Sequence, residues 1–387
     1  MTAEEAMHES AHAERMLACI RERLAAAGGW LPFDAYMQLA LYEPGLGYYS
    51  AGAHKLGAGG DFTTAPEISP LFGRCLARQC GEVLAALGGG DVVELGAGSG
   101  RLAYDVLATM AQAGVPPARY RILEVSADLR ERQRALLDTL PPDLAARVEW
   151  LDAPPAGGWE GVLLANEVLD ALPVECFAWR DGAPFERGVA LDDAGQLAWR
   201  ERAASPALAA EIERVRADAG VHWPSGYHSE LCRRVEPWFA EVAGGLARGV
   251  ALFIDYGLPR RDYYHPRRTA GTLRSYHRHR AYDDPFARPG LSDLTAWVDF
   301  TRVAEAAAGA SFDVLGFVTQ AALLLGLGIE AEVAAASDEA TRIRRASEAR
   351  QLLMPEEMGE NFKAIALGRE WELPLAGFAH QDLRRYL

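Results

Sequence analysis

The chain has 387 residues, 50% of them hydrophobic, which is enough for one large or two modest domains with a real core. Its net charge of -15 and isoelectric point near 5.1 argue against sequence-independent nucleic-acid binding, which needs a basic face. No apolar run reaches membrane-spanning length. "VLGFVTQAALLLGLGI" from Val314 is broken by Thr319 and Gln320 and reads as a buried strand entering a helix.

Residues 1 to about 28 read as a helix that ends at Gly28-Gly29. Its first turns carry Glu4, Glu5, Glu9 and Glu14, unlike a secretory signal or a mitochondrial presequence, so a cytoplasmic setting is expected. A helical stretch and a Gly-, Pro- and Tyr-rich loop follow, then a helix opened by the cap Ser69 and by Pro70. From Asp91 short strand-like runs alternate with helices: "DVVELG", "RYRILEVS", "RVEWLD", "GVLLANEVLD" and "GVALFIDYG". That alternation indicates a parallel sheet covered on both faces. Between the last two, residues 174 to about 203 read as an antiparallel meander with turns at Asp181-Gly182 and Asp193–Gln196, followed by a helix pair to about 247. A second insertion, 258 to 295, has little periodicity, and "SFDVLGFVTQ" with "FKAIALG" would close the sheet as a hairpin. The expected division is an N-terminal region 1–85, a sheet domain 86–173 with 246–387, an inserted subdomain 174–245 and an inserted loop 258–300. Cys19, Cys75, Cys80, Cys176 and Cys232 form no CxxC pair and are expected to be reduced.

The most informative stretch is "VVELGAGSGRLAYDVL" from Val92. Its Gly96, Gly98 and Gly100 alternate, unlike the G-x-G-x-x-G of dinucleotide sites, and no Gly-Lys-Ser/Thr follows as a P-loop requires. With Glu94 two residues earlier it resembles motif I of class I S-adenosylmethionine-dependent methyltransferases. Glycines let the backbone approach a nucleoside sulfonium, and the next helix N-terminus favours its carboxylate. Glu124, beside Val125 at the second strand's end, can take both ribose hydroxyls. Asp152 ends the third strand, where such enzymes contact the adenine amino group.

The segments "YMQLALYEPGLGYY", "GDFTTAPEISPLFG", "VELGAGSGRL", "NEVLDALPV", "FIDYG", "GTLRSYHRHR", "DLTAWVDFT" and "LLMPEEMGENFKAIAL" together resemble the MidA-type methyltransferases. This family includes the mitochondrial complex I assembly-factor protein arginine methyltransferase and its bacterial relatives. The likeness covers roughly residues 30 to 370. It implies an α/β, Rossmann-like seven-stranded sheet with an N-terminal helical and loop extension and an inserted β-meander plus helices. It implies methyl transfer to arginine ω-nitrogens, with symmetric dimethylation of a complex I subunit in mitochondrial members. The chain has no mitochondrial presequence, so a bacterial setting is expected.

A guanidinium starts protonated, so carboxylates are its natural partners: they hold the planar fork and stabilise charge as the methyl arrives. Glu167 and Asp170, in "NEVLDALP", and Asp255, in "FIDYG", are the candidate catalytic groups; Asn166 could hold the cofactor's methionine end. The resemblance places Asp61, Thr63 and Thr64 over the cofactor, where their loop and Tyr48-Tyr49 would form a lid. It places Arg274, Tyr276 and His279 on the substrate side. The basic stretch 259–280 reads as a solvated loop, a docking surface for an acidic partner or a nucleic-acid contact, the last opposed by the overall charge. His265, His277 and His279 lack a carboxylate or Cys at ligand spacing, so no metal is expected. The cofactor is therefore S-adenosylmethionine, with S-adenosylhomocysteine as product, and the acceptor a protein, a complex I subunit being the one that the resemblance suggests. Homodimerisation is left open. Two competing readings are a small-molecule or other-residue methyltransferase on the same fold, and an assembly chaperone that uses the cofactor only structurally.

Overall fold

The alternating apolar runs that begin at Asp91 build one mixed sheet. The computed structural model describes residues 3–50, 64–278 and 280–387. By chain contacts it falls into two units. The smaller holds Met1–Lys55, Asp170–Arg234 and Pro259–Asp299; the larger holds Leu56–Leu169, Val235–Leu258 and Phe300–Leu387.

In the larger unit the sheet strands are β1 (Asp91–Leu95), β2 (Tyr120–Leu123), β3 (Val148–Leu151), β4 (Trp159–Asn166), β5 (Leu246–Leu258), β6 (Asp313–Thr319) and β7 (Phe362–Arg369). Their spatial order is 3-2-1-4-5-7-6. The first five run parallel, in registers such as Val92 opposite Tyr120, Val92 opposite Val162 and Val250 opposite Val162. β7 runs antiparallel to both β5 and β6. The order turns back between β1 and β4, so ligands are expected beside the carboxyl ends of these two strands.

The inner strands sit where they do because they are largely apolar and buried on both faces. β5 is buried from Val250 through Asp255, as parallel strands with helices on both sides must be. On one face Val92, Ile122, Leu164 and Ile254 pack with Leu71, Leu76 and Val83 of helix α1 (Pro70–Leu87) and with Leu102, Val106 and Met110 of helix α2 (Arg101–Gln112). On the other, Phe253 meets Phe239 of a helix at Val235–Ala243, with ring centres 5.7 Å apart. Each fully buried Leu, Val or Phe stabilises the unit by roughly 1.5–3 kcal/mol. The helices begin where the sequence caps them: Ser69 accepts the Leu71 N–H before α1, and Ser126 accepts the Leu129 N–H before α3 (Ala127–Leu137).

The smaller unit carries the meander. Strands Glu175–Arg180, Ala183–Leu191 and Leu197–Ala203 are joined by Asp181-Gly182, both at positive φ, and by a turn in which Asp192 Oδ1 accepts the N–H groups of Ala194 and Gln196. Leu31–Pro32 pairs with Val189 and Gly188 of this sheet, and Tyr227–Leu231 with Glu175–Trp179. The core gathers Met16, Ile20, Phe33, Tyr36, Met37, Val189 and Leu294, with Phe33 stacked on Trp199 at 4.8 Å.

Three details differ from the sequence expectation. Helix α1 packs in the larger unit, not with the N-terminal region. The stretch expected as a helix pair holds strand Tyr227–Leu231 between its helices, because Tyr227 to Leu231 hydrogen-bond along Glu175–Trp179. The described residues of the insertion 258–295 contain a short helix, Arg260–Tyr263, and a three-stranded sheet of Arg274–His277, Arg280–Tyr282 and Asp293–Thr295. Its low periodicity reflects a scaffold of buried polar groups. Arg260 pairs with Asp299 at 3.1 Å and Asp218 at 3.3 Å, and the buried Glu230 accepts from Thr272 and from the Tyr263 hydroxyl.

Candidate active site at the carboxyl edge of the sheet

At the end of β1 the chain turns through Gly96, Gly98 and Gly100, with φ of 59°, 55° and 85°. An L side chain is disfavoured in this left-handed region, and a Cβ on Gly100 would also lie 3.2 Å from the Gln133 main chain. The loop is held by Gly96 N–H donating to the Leu123 carbonyl at 2.9 Å. The Ser99 hydroxyl donates to Glu67. α2 then starts at Arg101, so its first N–H groups face the loop.

Glu94, one turn of the strand earlier, points into the interior. Its carboxylate accepts from the Tyr120 hydroxyl at 2.6 Å, and burial raises its pKa to about 7, against the lowering pull of that bond. Glu94 thus stands under the loop.

Glu124 lies just beyond β2 and is 5% exposed. One oxygen accepts the Ser126 N–H at 2.9 Å and the other the Gln133 amide at 3.2 Å. Burial raises its pKa; the bonds from Ser126 and Gln133 oppose that rise. Val125 beside it is exposed. Asp152, after β3, projects into solvent and pairs with Arg130 at 2.7 Å. Arg130 also donates to the carbonyls of Glu124 and Leu151, so one guanidinium, absent from the sequence reading, ties the tips of β2 and β3 together.

At the end of β4, Asn166 donates to Glu167 at 3.1 Å, while its buried Oδ1 has no hydrogen-bond partner among the described residues. Glu167 takes a φ of 54°, which is unusual for a side chain of its size, and its N–H donates to the Ile254 carbonyl. Asp255, 1% exposed on β5, fixes this turn: Oδ2 accepts the N–H groups of Val168 (3.1 Å) and Leu169 (2.9 Å), and Oδ1 that of Tyr256 (2.9 Å). Thr64 stands at the start of a short helix, Ala65–Ile68. Asp61 and Thr63 lie outside the described residues, and so does most of the expected lid loop.

In the smaller unit, Asp170 is buried and its carbonyl accepts the Ala296 N–H. The Tyr49 hydroxyl donates to the Asp293 carboxylate at 3.2 Å, and its ring stacks on Tyr42 and meets Tyr48 edge-on. Burial first, then the charges of Asp293 and Asp170, push the Tyr49 pKa well above its ordinary value. Tyr276 is half-buried and shifted upward mainly by burial, with Arg274 opposing and Asp170 and Asp293 adding to the rise. Arg274 itself reaches Asp283 at 3.8 Å. Tyr48, Tyr49, Asp170 and Tyr276 are therefore brought together, whereas His279 lies outside the described residues.

This geometry suits S-adenosylmethionine. The buried, unpartnered Asn166 Oδ1 is an acceptor in need of a donor, such as the ligand's ammonium. Glycines at positive φ leave room for its amino-acid tail, and an anchored carboxylate stands at the next strand tip. A sheet ordered 3-2-1-4-5-7-6 with an antiparallel seventh strand and these features at its reversal point defines a class I S-adenosylmethionine-dependent methyltransferase.

Residues 75–318 match a family described as "Putative S-adenosyl-L-methionine-dependent methyltransferase", and the chain belongs to that family. Two similar proteins are named protein arginine methyltransferase NDUFAF7, mitochondrial. The one from Danio rerio is 29% identical over 92% of this chain and 91% of its own, and the one from Rattus norvegicus 30% identical over 93% and 85%. A crystal structure from Burkholderia thailandensis, bound to S-adenosyl-homocysteine, superposes with a TM-score of 0.93 at 43% identity, covering 98% of each chain. The cofactor of this chain is S-adenosylmethionine.

Proposed function

We propose that this methyltransferase modifies arginine ω-nitrogens of a protein, with symmetric dimethylation of a respiratory complex I subunit as the specific reaction. The names of the Danio rerio and Rattus norvegicus relatives support the acceptor class. Chemically, the reading is carried by Glu167, whose carboxylate sits on a left-handed turn that Asp255 clamps beside Asn166. A carboxylate so oriented can hold a guanidinium by charge-assisted bonds and aim one nitrogen at the sulfonium methyl. The N–CH3 bond forms as the S–CH3 bond breaks, S-adenosylhomocysteine leaves, and the nitrogen loses a proton to solvent. Asp170 is the second acidic group for the substrate, with Tyr48, Tyr49, Arg274, Tyr276 and His279 as binding residues. Asp255 acts by shaping the Glu167 turn.

In the cofactor half, Gly96, Gly98, Gly100 and Asn166 receive the methionine portion. Glu124 and Val125 receive the ribose and its surroundings, Asp152 the adenine amino group, and Glu94 supports the loop from below. Asp61, Thr63 and Thr64 complete the cover. The test is a pull-down from cells, followed by methyl-site mapping of the captured proteins with wild-type and Glu167→Gln protein. Dimethylarginine that requires Glu167 supports the reading. Methyl groups on lysine, on a carboxyl or on a small molecule replace it.

A further inference from the structure

The side chain of Gln133, on α3, is fully buried at the centre of the carboxyl edge. Its Nε2 donates to the Gly98 carbonyl at 2.9 Å and to Glu124 Oε2 at 3.2 Å, and its Oε1 accepts from the Trp150 indole at 2.9 Å. An indole nitrogen can only donate, so Trp150 settles which end of the amide is oxygen. Both amide hydrogens are thereby turned toward the glycine loop and the carboxylate. One planar group thus ties together the loop after β1, the acid after β2 and the indole on β3. Gly100 packs against the same residue so closely that no side chain fits between them without a shift.

A buried amide needs partners wherever it sits, and a purely architectural glutamine would be satisfied by any carbonyl. Gln133 instead spends its two hydrogens on two groups assigned to opposite portions of the cofactor. We infer that Gln133 is a positioning residue for cofactor capture: it sets the Gly98 main chain and the Glu124 carboxylate at a fixed separation, so that the amino-acid tail and the ribose are received together. Trp150 serves this arrangement by preventing the amide from turning over. The inference rests on the reading of Glu124 as the ribose-binding group.

The test is calorimetric titration of the full chain with S-adenosylhomocysteine and with its 2′-deoxy analogue, for wild type, Glu124→Gln, Gln133→Met and Trp150→Phe. Methionine keeps the volume of glutamine and removes its donors. Wild type should prefer the ribose form. Gln133→Met should bind S-adenosylhomocysteine about tenfold more weakly, the effect of losing a hydrogen bond to a charged group, and its preference over the deoxy analogue should shrink toward one. Trp150→Phe should move both quantities in the same direction by less. It also serves if Gln133→Met does not fold, because it leaves the amide in place. Suppose Glu124→Gln erodes the preference while the foldable variants at 133 and 150 lose only thermal stability and keep wild-type affinity and preference. Gln133 is then architectural and the inference is overturned. If Glu124→Gln leaves the preference intact, the ribose reading itself fails and takes the inference with it.

Discussion

Replacing Asp255 with asparagine separates a group that shapes the Glu167 turn from one that acts on the substrate. The carboxylate accepts three main-chain N–H groups at 2.9 to 3.1 Å while 1% exposed. Hydrogen bonds to a charged group contribute about 1.5–3 kcal/mol each, and neutral ones about 1 kcal/mol. Asparagine has one carbonyl oxygen. If that oxygen serves Val168 and Leu169, the amide nitrogen faces the Tyr256 N–H, donor against donor. One bond is then lost and two become neutral, for a cost of roughly 2.5–7 kcal/mol. In the opposite orientation two bonds are lost. For a unit of this size such a loss lowers the melting temperature by roughly 5–28 °C. Differential scanning calorimetry with bound S-adenosylhomocysteine, alongside methyl-transfer rates, reads both quantities. Methyl transfer should fall together with stability. An unchanged melting temperature with collapsed turnover would refute the reasoning and place Asp255 on the reacting atoms.

Glu94 makes stability pH-dependent. Its folded pKa, about 7, lies above the ordinary carboxyl value, so the folded state holds its proton more tightly. That contribution is fully present below about pH 4.5 and is lost as pH rises through 7. In urea unfolding, Glu94→Gln should therefore gain on wild type between pH 5 and 8; a constant difference across that range refutes the assignment. Glu167→Gln should lower kcat about a hundredfold, the order seen when a group stabilising transition-state charge is removed, with S-adenosylhomocysteine affinity within about threefold of wild type. Equal losses in both would make Glu167 a cofactor ligand. Gly100→Ala should destabilise by at least ~1–2 kcal/mol from the left-handed backbone alone, with the close Gln133 contact adding to it; circular-dichroism melting checks this, and an unchanged midpoint would show that the loop relaxes freely.

The seven strands were legible because apolar runs alternate with helical segments, and β1, β4, β5 and β7 are buried along nearly their whole length; that pattern survives without knowledge of any partner. Glu124, Asp152 and Asn166 could be placed at strand tips for the same reason. What eluded the sequence depends on distant partners. Strand Tyr227–Leu231 reads "YHSEL" and owes its conformation to pairing with Glu175–Trp179. The motif marks Glu94, but its partner Tyr120, 26 positions away inside the sheet, is not readable from it. Gln133 and Arg130 look like two polar residues on a polar helix, and only the assembled edge gives their side chains something to bridge. The grouping of residues 1–55 with two later segments is a property of long-range packing that no local pattern encodes.

Because the smaller unit is drawn from three stretches interleaved with three of the larger, neither is a contiguous piece of gene. A ribosome must emit the chain as far as Asp299 before the first can close. The second waits longer still, since β7, lodged between β5 and β6, ends at Arg369. Nascent intermediates therefore carry unpaired strand margins late into synthesis. Recombination that exchanges one unit between relatives would need several simultaneous splices.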